Sequence, residues 1–159
     1  MKIGEALSRL KKEKSRLSRM INLRKENIFI EEGFIFGFDT DTVDVFEKTR
    51  DFAYKTKANA LSPHILTPYP GTKLWERLIS EIRLFYQLYP NNYSKDWELY
   101  NTGNVLFIPK QMTPIQLQEG YEKFKRDIYS LDNIIKMTGG SKNPLMTIIS
   151  NSIRGLGQS

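Results

Sequence analysis

The segment Gly33-Phe34-Ile35-Phe36-Gly37-Phe38-Asp39-Thr40-Asp41 holds the residue types best suited to take a ligand. Side chains along a strand alternate between its two faces. The spacing therefore predicts Phe34, Phe36 and Phe38 on one face, with Gly33, Ile35 and Gly37 on the other. Aromatic rings suit packing under helices, each worth about 1.5–3 kcal/mol when fully buried. Glycines on the opposite face leave space in which a ligand or another backbone can come close. Asp39 and Asp41 follow at the carboxyl end of the strand, where parallel α/β folds place their ligands. Glu31 and Glu32 precede the glycines, but neighbours in a strand face opposite ways and do not make an acid–base pair. No glycine-rich phosphate loop, nucleophile elbow or HExxH motif is present.

The elements that must position this segment are legible from periodicity and capping. A helix is expected over residues 42–55, with Asp41 as its cap, Asp44 in its first turn, and Val45, Phe46, Thr49, Phe52 and Ala53 on its buried stripe. A second strand is expected over about 60–66. Pro63 lacks a ladder donor, so that strand either starts after Pro63 or lies at an edge. His64, the single histidine, has no cluster of ligand-type residues around it in sequence and is expected to be structural. Thr67–Thr72, with two prolines and a glycine, reads as a rigid corner, and Thr72 can cap a helix over 73–80. Thr113-Pro114-Ile115-Gln116 carries a capping box with proline at the first helical position. Leu117, Tyr121, Phe124, Ile128 and Leu131 then form one stripe, continued by 133–137 until Gly139-Gly140. A last helix is expected from Pro144 to about Arg154, carrying Leu145, Ile148, Ile149 and Ile153, before a frayed GLGQS end.

Three blocks in order carry a resemblance: GFIFGFDTDTVDVFEKTRDFA, ILTPYPGTKLWERL and DWELYNTGNVLFIPKQMTPIQLQEGY. They resemble the carboxyl-terminal half of cobalamin-binding radical S-adenosylmethionine (SAM) proteins, over about residues 27 to 131 and more loosely the NPLMTIISNSIRG tail. The resemblance implies an α/β fold: the later strands of a partial (β/α) radical SAM barrel, followed by a mostly helical extension. It implies SAM contacts from Gly33, Ile35 and Gly37, with Asp39 and Asp41 shaping the loop beneath the adenosine and Ile65 and Leu66 beside the adenine. It assigns no catalytic or metal-ligating residue to this chain. The stretch LFYQLYPNNYSK departs from the family pattern and reads as an inserted surface loop.

Those proteins hold a [4Fe–4S] cluster through a three-cysteine motif in the earlier half of the barrel. Cluster ligation needs thiolates, and this sequence has no cysteine. The expectation is a truncated or split cobalamin-dependent radical SAM protein, inactive by itself, with cluster and cobalamin reached only through a missing or separate segment. The partner would then be a separate chain carrying the cysteine motif and the cobalamin domain.

Composition sets the frame. Of 159 residues, 40% are hydrophobic and 12% aromatic, enough for a modest core. The organisation expected is a basic amphipathic helix and linker (1–27), a partial barrel segment with an insertion near 84–95 (28–95), and a mainly helical extension (96–159). Residues 1–25 hold nine basic and two acidic side chains, whereas residues 26–159 hold 15 basic and 16 acidic ones, so the net +6 is local to the amino terminus. Ile3, Leu7, Leu10, Leu17 and Ile21 make an apolar stripe there, interrupted by Lys14. The alternative function is thus a non-catalytic interaction protein whose basic helix binds an acidic partner or nucleic acid. Nucleic acid itself is not expected, since no aromatic interleaving or recognised motif accompanies the charge. No apolar run approaches the roughly 18–20 residues of a membrane span, and a cytoplasmic location is expected.

Overall fold

The computed structural model describes residues 3–26, 28–85, 97–138 and 144–156. Most of the insertion expected near 84–95, the Gly139-Gly140 break and the last three residues lie outside them. The described residues form a mixed α/β structure with two parallel strands and six α-helices. In chain order these are α1 (Ile3–Lys25), β1 (Glu31–Phe36), α2 (Val45–Thr56), β2 (Ala60–Ile65), α3 (Lys73–Ser80), α4 (Pro114–Ile128), α5 (Leu131–Thr138) and α6 (Pro144–Leu156), with a 3-10 turn at Trp97–Leu99. Helix α2 connects β1 to β2, as a parallel pair requires.

Pro63 lies within β2, and register explains why it is tolerated. Asn59 N–H, just ahead of β2, and Ala60 N–H both reach the Ile30 carbonyl, and Leu66 N–H reaches that of Phe36, so from Ala60 onward the even-numbered residues point their donors toward β1. Odd-numbered donors point away, and Ile65 N–H accordingly reaches the Thr102 carbonyl at 2.6 Å. Pro63 shares that outer edge, where its missing donor removes no β1–β2 bond.

The described residues group into two compact units. The first comprises Gly33–Thr49 and Ser62–Asp127. Its interior is aromatic: Phe36 is 1% exposed, its ring 4.8 Å from that of Phe46 and 4.9 Å from that of Phe124, with Phe34 edge-on to Phe124. Gly120 on α4 leaves the room that the Phe46 ring occupies. The capping box forms as read: Thr113 Oγ1 accepts from Gln116 N–H at 3.1 Å, and Gln116 Oε1 accepts from Thr113 N–H at 2.8 Å. Leu117, Tyr121 and Phe124 are buried along α4. Tyr100 and Leu106 make a smaller buried cluster, with Trp97 stacked on Tyr100.

The second unit comprises Met1–Glu32, Arg50–Leu61 and Ile128–Ser159. Its interior mixes apolar side chains, among them Leu61, Ile128 and Ile134, with a set of buried polar groups. The Asn59 side chain accepts from Ile30 N–H at 2.9 Å and donates to Thr147 Oγ1 at 3.3 Å. Asn151 donates to the carbonyls of Asn59 and Thr147, both at 2.8 Å. Thr147 and Asn151 are fully buried on α6, while Leu145, Ile148, Ile149 and Ile153, its predicted apolar stripe, are 40–69% exposed. The stripe of α4 likewise ends at Ile128: Ser130 carbonyl accepts from Ile134 N–H and starts α5, leaving Leu131 75% exposed. Tyr129 hydroxyl donates to the Leu61 carbonyl at 2.9 Å.

Candidate functional site

Strand β1 keeps the predicted alternation as far as Phe36. Glu32 and Phe36 are buried and Phe34 half-buried, whereas Glu31, Gly33 and Ile35 are exposed, Ile35 by 50%. On β2, Pro63 and Ile65 are buried while Ser62 and His64 are half-exposed. Gly33 and Ile35, with Ser62 and His64, thus form an open face of the pair. A Cβ on Gly33 would meet only the Ser62 carbonyl, at 3.9 Å. His64 is held at both ring nitrogens, by Ser62 Oγ at 3.0 Å and Thr102 Oγ1 at 2.9 Å.

Alternation stops at Gly37, whose φ of +104° suits glycine. Gly37 does not share the open face of Gly33 and Ile35; it is buried, and a Cβ there would lie 3.0 Å from Leu117 and 3.1 Å from Phe107. Phe38 is correspondingly 46% exposed rather than buried with Phe34 and Phe36. The turn is tied by Asp41, whose Oδ2 accepts from the N–H groups of Gly37 and Phe38, both at 3.0 Å. Because that carboxylate serves the loop behind it, α2 begins at Val45 rather than Thr42, with Val45 N–H donating to the Thr42 carbonyl.

Asp39 sits at the centre of a charge cluster that the sequence did not announce. Its carboxylate pairs with Arg83 Nη2 at 2.9 Å, Arg77 Nη2 at 3.2 Å and Lys110 Nζ at 3.5 Å. Burial disfavours its ionised form, but the Arg83 hydrogen bond and the surrounding cations outweigh this and hold the carboxyl below the usual aspartate range. Arg83 is buried and also donates to Glu81 and, through Nε, to the Ile108 carbonyl at 2.6 Å. Two local devices aim Arg83. Helix α3, capped by Thr72 Oγ1 on Trp75 N–H as read, ends in a Schellman turn: Arg83 N–H reaches Leu78 carbonyl and Ile82 N–H reaches Ile79 carbonyl. That turn puts Ile82 at φ 54°, a costly conformation for a β-branched residue. An antiparallel bridge between Leu84 and Phe107 then brings Arg83 and Lys110 to one place. Only the one-turn spacing of Lys73 and Arg77 was visible in sequence as a cationic pair on α3.

Past the strand ends opens a cleft of about 570 Å³, lined by Phe38, Leu66 and Leu74 and by Asp39, Lys73 and Arg77. The expected site residues therefore divide. Gly33 and Ile35 lie on the open face, Gly37 and Asp41 in the tied turn, and Asp39 and Leu66 at the cleft. Ile65 is 1% exposed on the covered face of β2.

Comparison with known proteins gives partial matches. The chain is 34% identical over 119 residues to bacteriochlorophyllide d C-12(1)-methyltransferase of Chlorobaculum tepidum, covering 75% of this chain and 24% of that protein. It is 30% identical over 107 residues to the anaerobic magnesium-protoporphyrin IX monomethyl ester cyclase of Cereibacter sphaeroides, covering 67% of this chain and 16% of that one. An uncharacterised methyltransferase of Pyrococcus horikoshii is 29% identical over 123 residues, 77% of this chain and 25% of its own length. The chain thus spans a quarter or less of the curated relatives it matches. No protein-family model matches. These similarities support the cobalamin-dependent radical SAM family as the kin of this chain. No helix among the described residues is long and apolar enough to cross a membrane.

Proposed function

We propose that this chain supplies the late β/α units of a cobalamin-dependent radical SAM protein of the methyltransferase type, with SAM held against the open face of β1. The observation that carries this reading is that Gly33 and Ile35 stand uncovered immediately before a turn tied by Asp41. In a complete barrel that face would be turned inward, and SAM would lie along Gly33 and Ile35, above the Gly37–Asp41 turn and near Leu66. Gly37 and Ile65 would then act through packing, by shaping the turn and seating β2.

The donor set does not fit an iron–sulfur cluster, because the sequence offers no thiolate. Cluster and cobalamin therefore belong to a segment outside this sequence, a separate chain in the split-protein reading, and this chain alone would not cleave SAM. The relatives' additional length is consistent with such a division.

Gly33 offers a direct test, since its open surroundings accept a side chain without a clash. Equilibrium dialysis with labelled SAM should show binding that Gly33→Leu weakens at least about tenfold, the cost of filling a contact surface, with an unchanged melting temperature. SAM affinity unaltered by the substitution, or no SAM binding at all, overturns the assignment. Reconstitution of the purified chain with iron and sulfide should leave it without the visible charge-transfer absorbance of a [4Fe–4S] centre. A stable cluster that turns over SAM in the isolated chain would end the split reading.

A further inference from the structure

Helix α6 has its amphipathic faces reversed. At about 3.6 residues per turn, Leu145, Ile149 and Ile153 fall on one side, flanked by Met146 and Ile148, with Thr147 and Asn151 on the other. Thr147 and Asn151 are fully buried, while the five apolar side chains are 40–69% exposed. Single exposed hydrophobic residues are ordinary, but a contiguous apolar face marks a surface that something covers.

Charge points to what covers it. The compact unit containing α6 holds 15 basic and seven acidic residues, against nine and 11 in the other unit, so the chain's whole excess of positive charge lies there. Residues 133–159 contain Lys136, Lys142 and Arg154 and no acid. Lys11, Lys14, Arg16 and Arg19 of α1, in the same unit, are exposed. A second copy docking through this face would bring like charges together. Nucleic acid would answer the charge but leave the aliphatic side chains uncovered, since it is gripped through phosphates and stacked bases. An anionic lipid surface satisfies both features.

We propose that α6 lies in the plane of an anionic bilayer surface, with Leu145, Ile149 and Ile153 at the boundary of headgroups and acyl chains. The cations of α1 and of the carboxyl-terminal segment are drawn to the lipid charge. The helix rests on the membrane and does not span it. Its 13 residues reach about 20 Å, short of the roughly 30 Å hydrocarbon core. Lipid binding of this kind does not depend on where SAM is held.

The test is flotation of the full chain with vesicles of phosphatidylcholine, pure or containing about 30% phosphatidylserine. Partitioning onto the mixed vesicles should be at least about tenfold stronger at low salt, and the difference should shrink as salt rises. Leu145→Ser combined with Ile153→Ser should weaken partitioning at least about tenfold. The melting temperature should not move, since both side chains are exposed. Leu145→Trp supplies a second readout if that pair disturbs the fold: its added emission should shift to the blue on binding and be quenched by lipids brominated in the acyl chains. Equal partitioning onto both vesicles overturns the proposal, as does no binding, binding unaltered by the α6 substitutions, or a tryptophan that the brominated lipids do not quench. A dimer that the same substitutions dissociate would make a second copy the occupant and overturn it. Heparin binding as tight as vesicle binding, and indifferent to α6, would overturn it in favour of a polyanion.

Discussion

The two compact units differ in what they bury beside their aliphatic side chains. Around Phe36 the interior is a set of aromatic rings, and charge gathers at its margin, on Asp39, Arg77, Arg83 and Lys110. Around Asn59, amides and hydroxyls are buried in a unit that also buries Leu61, Ile128 and Ile134, and Leu145, Ile148, Ile149 and Ile153 of α6 are exposed. Parallel α/β folds place ligands at the carboxyl ends of their strands and use the other ends for stability. The contrast follows that division: the aromatic unit contains the strand ends, the tied turn and the cleft. The other unit contains the strand beginnings, where Asn59 and Asn151 satisfy backbone groups that would otherwise be buried without partners.

The sharpest test of this contrast is truncation of one residue from each interior. Phe36→Ala should cost about 3–5 kcal/mol, the usual loss for a buried ring, in a urea unfolding experiment. Asn151→Ala should cost about 1–3 kcal/mol, because the Asn59 and Thr147 carbonyls lose their donor. A larger loss at Asn151 than at Phe36 would reverse the view of which interior dominates stability.

Two glycines on one segment should behave oppositely. Gly37→Ala should destabilise by about 1–3 kcal/mol, from a left-handed backbone and a crowded Cβ. Gly33→Ala should stay within about 0.5 kcal/mol of the parent. Similar losses at both positions would mean that the open face is packed. Ile82→Gly, by contrast, should raise stability by about 0.5–1 kcal/mol, since glycine suits the end of a Schellman turn. An unchanged or lower unfolding midpoint would remove strain from the account of how Arg83 is aimed.

The smallest effects concern acid, and their signs differ between the units. Burial raises the Glu32 carboxyl above the usual range, against the lowering effects of its Thr56 hydrogen bond and of Arg16. Folded protein therefore holds that proton more tightly than unfolded chain. The stability it contributes is complete below about pH 4.3, the free glutamate value, and is lost as pH rises through the higher folded value. Asp39 is shifted the other way, so its contribution is present above the free aspartate value of about 3.9 and is lost as pH falls through the lower folded one. Unfolding midpoints between acid and neutral pH should show Glu32→Gln removing a decline toward neutrality. Asp39→Asn should lose stability near pH 7 and converge with the parent in acid. Parallel pH profiles for the two variants would contradict the opposite shifts.

What could be read from the amino-acid order was whatever closes within a few residues. The capping box at Thr113–Gln116, the Thr72 cap and the β1 alternation from Glu31 to Phe36 depend on bonds and side-chain directions that local geometry supplies. The glycines of that segment, with Asp39 and Asp41 after them, raised the expectation of a ligand there. Tertiary structure decided the rest, because burial and pairing depend on neighbours distant in the chain. Nothing near Gly37 announces Leu117 and Phe107, and nothing near Asp39 announces Arg83 and Lys110. On α6 the apolar stripe pointed one way by composition, yet Asn59 offered amide partners, and Thr147 and Asn151, bonded to it, took the interior instead.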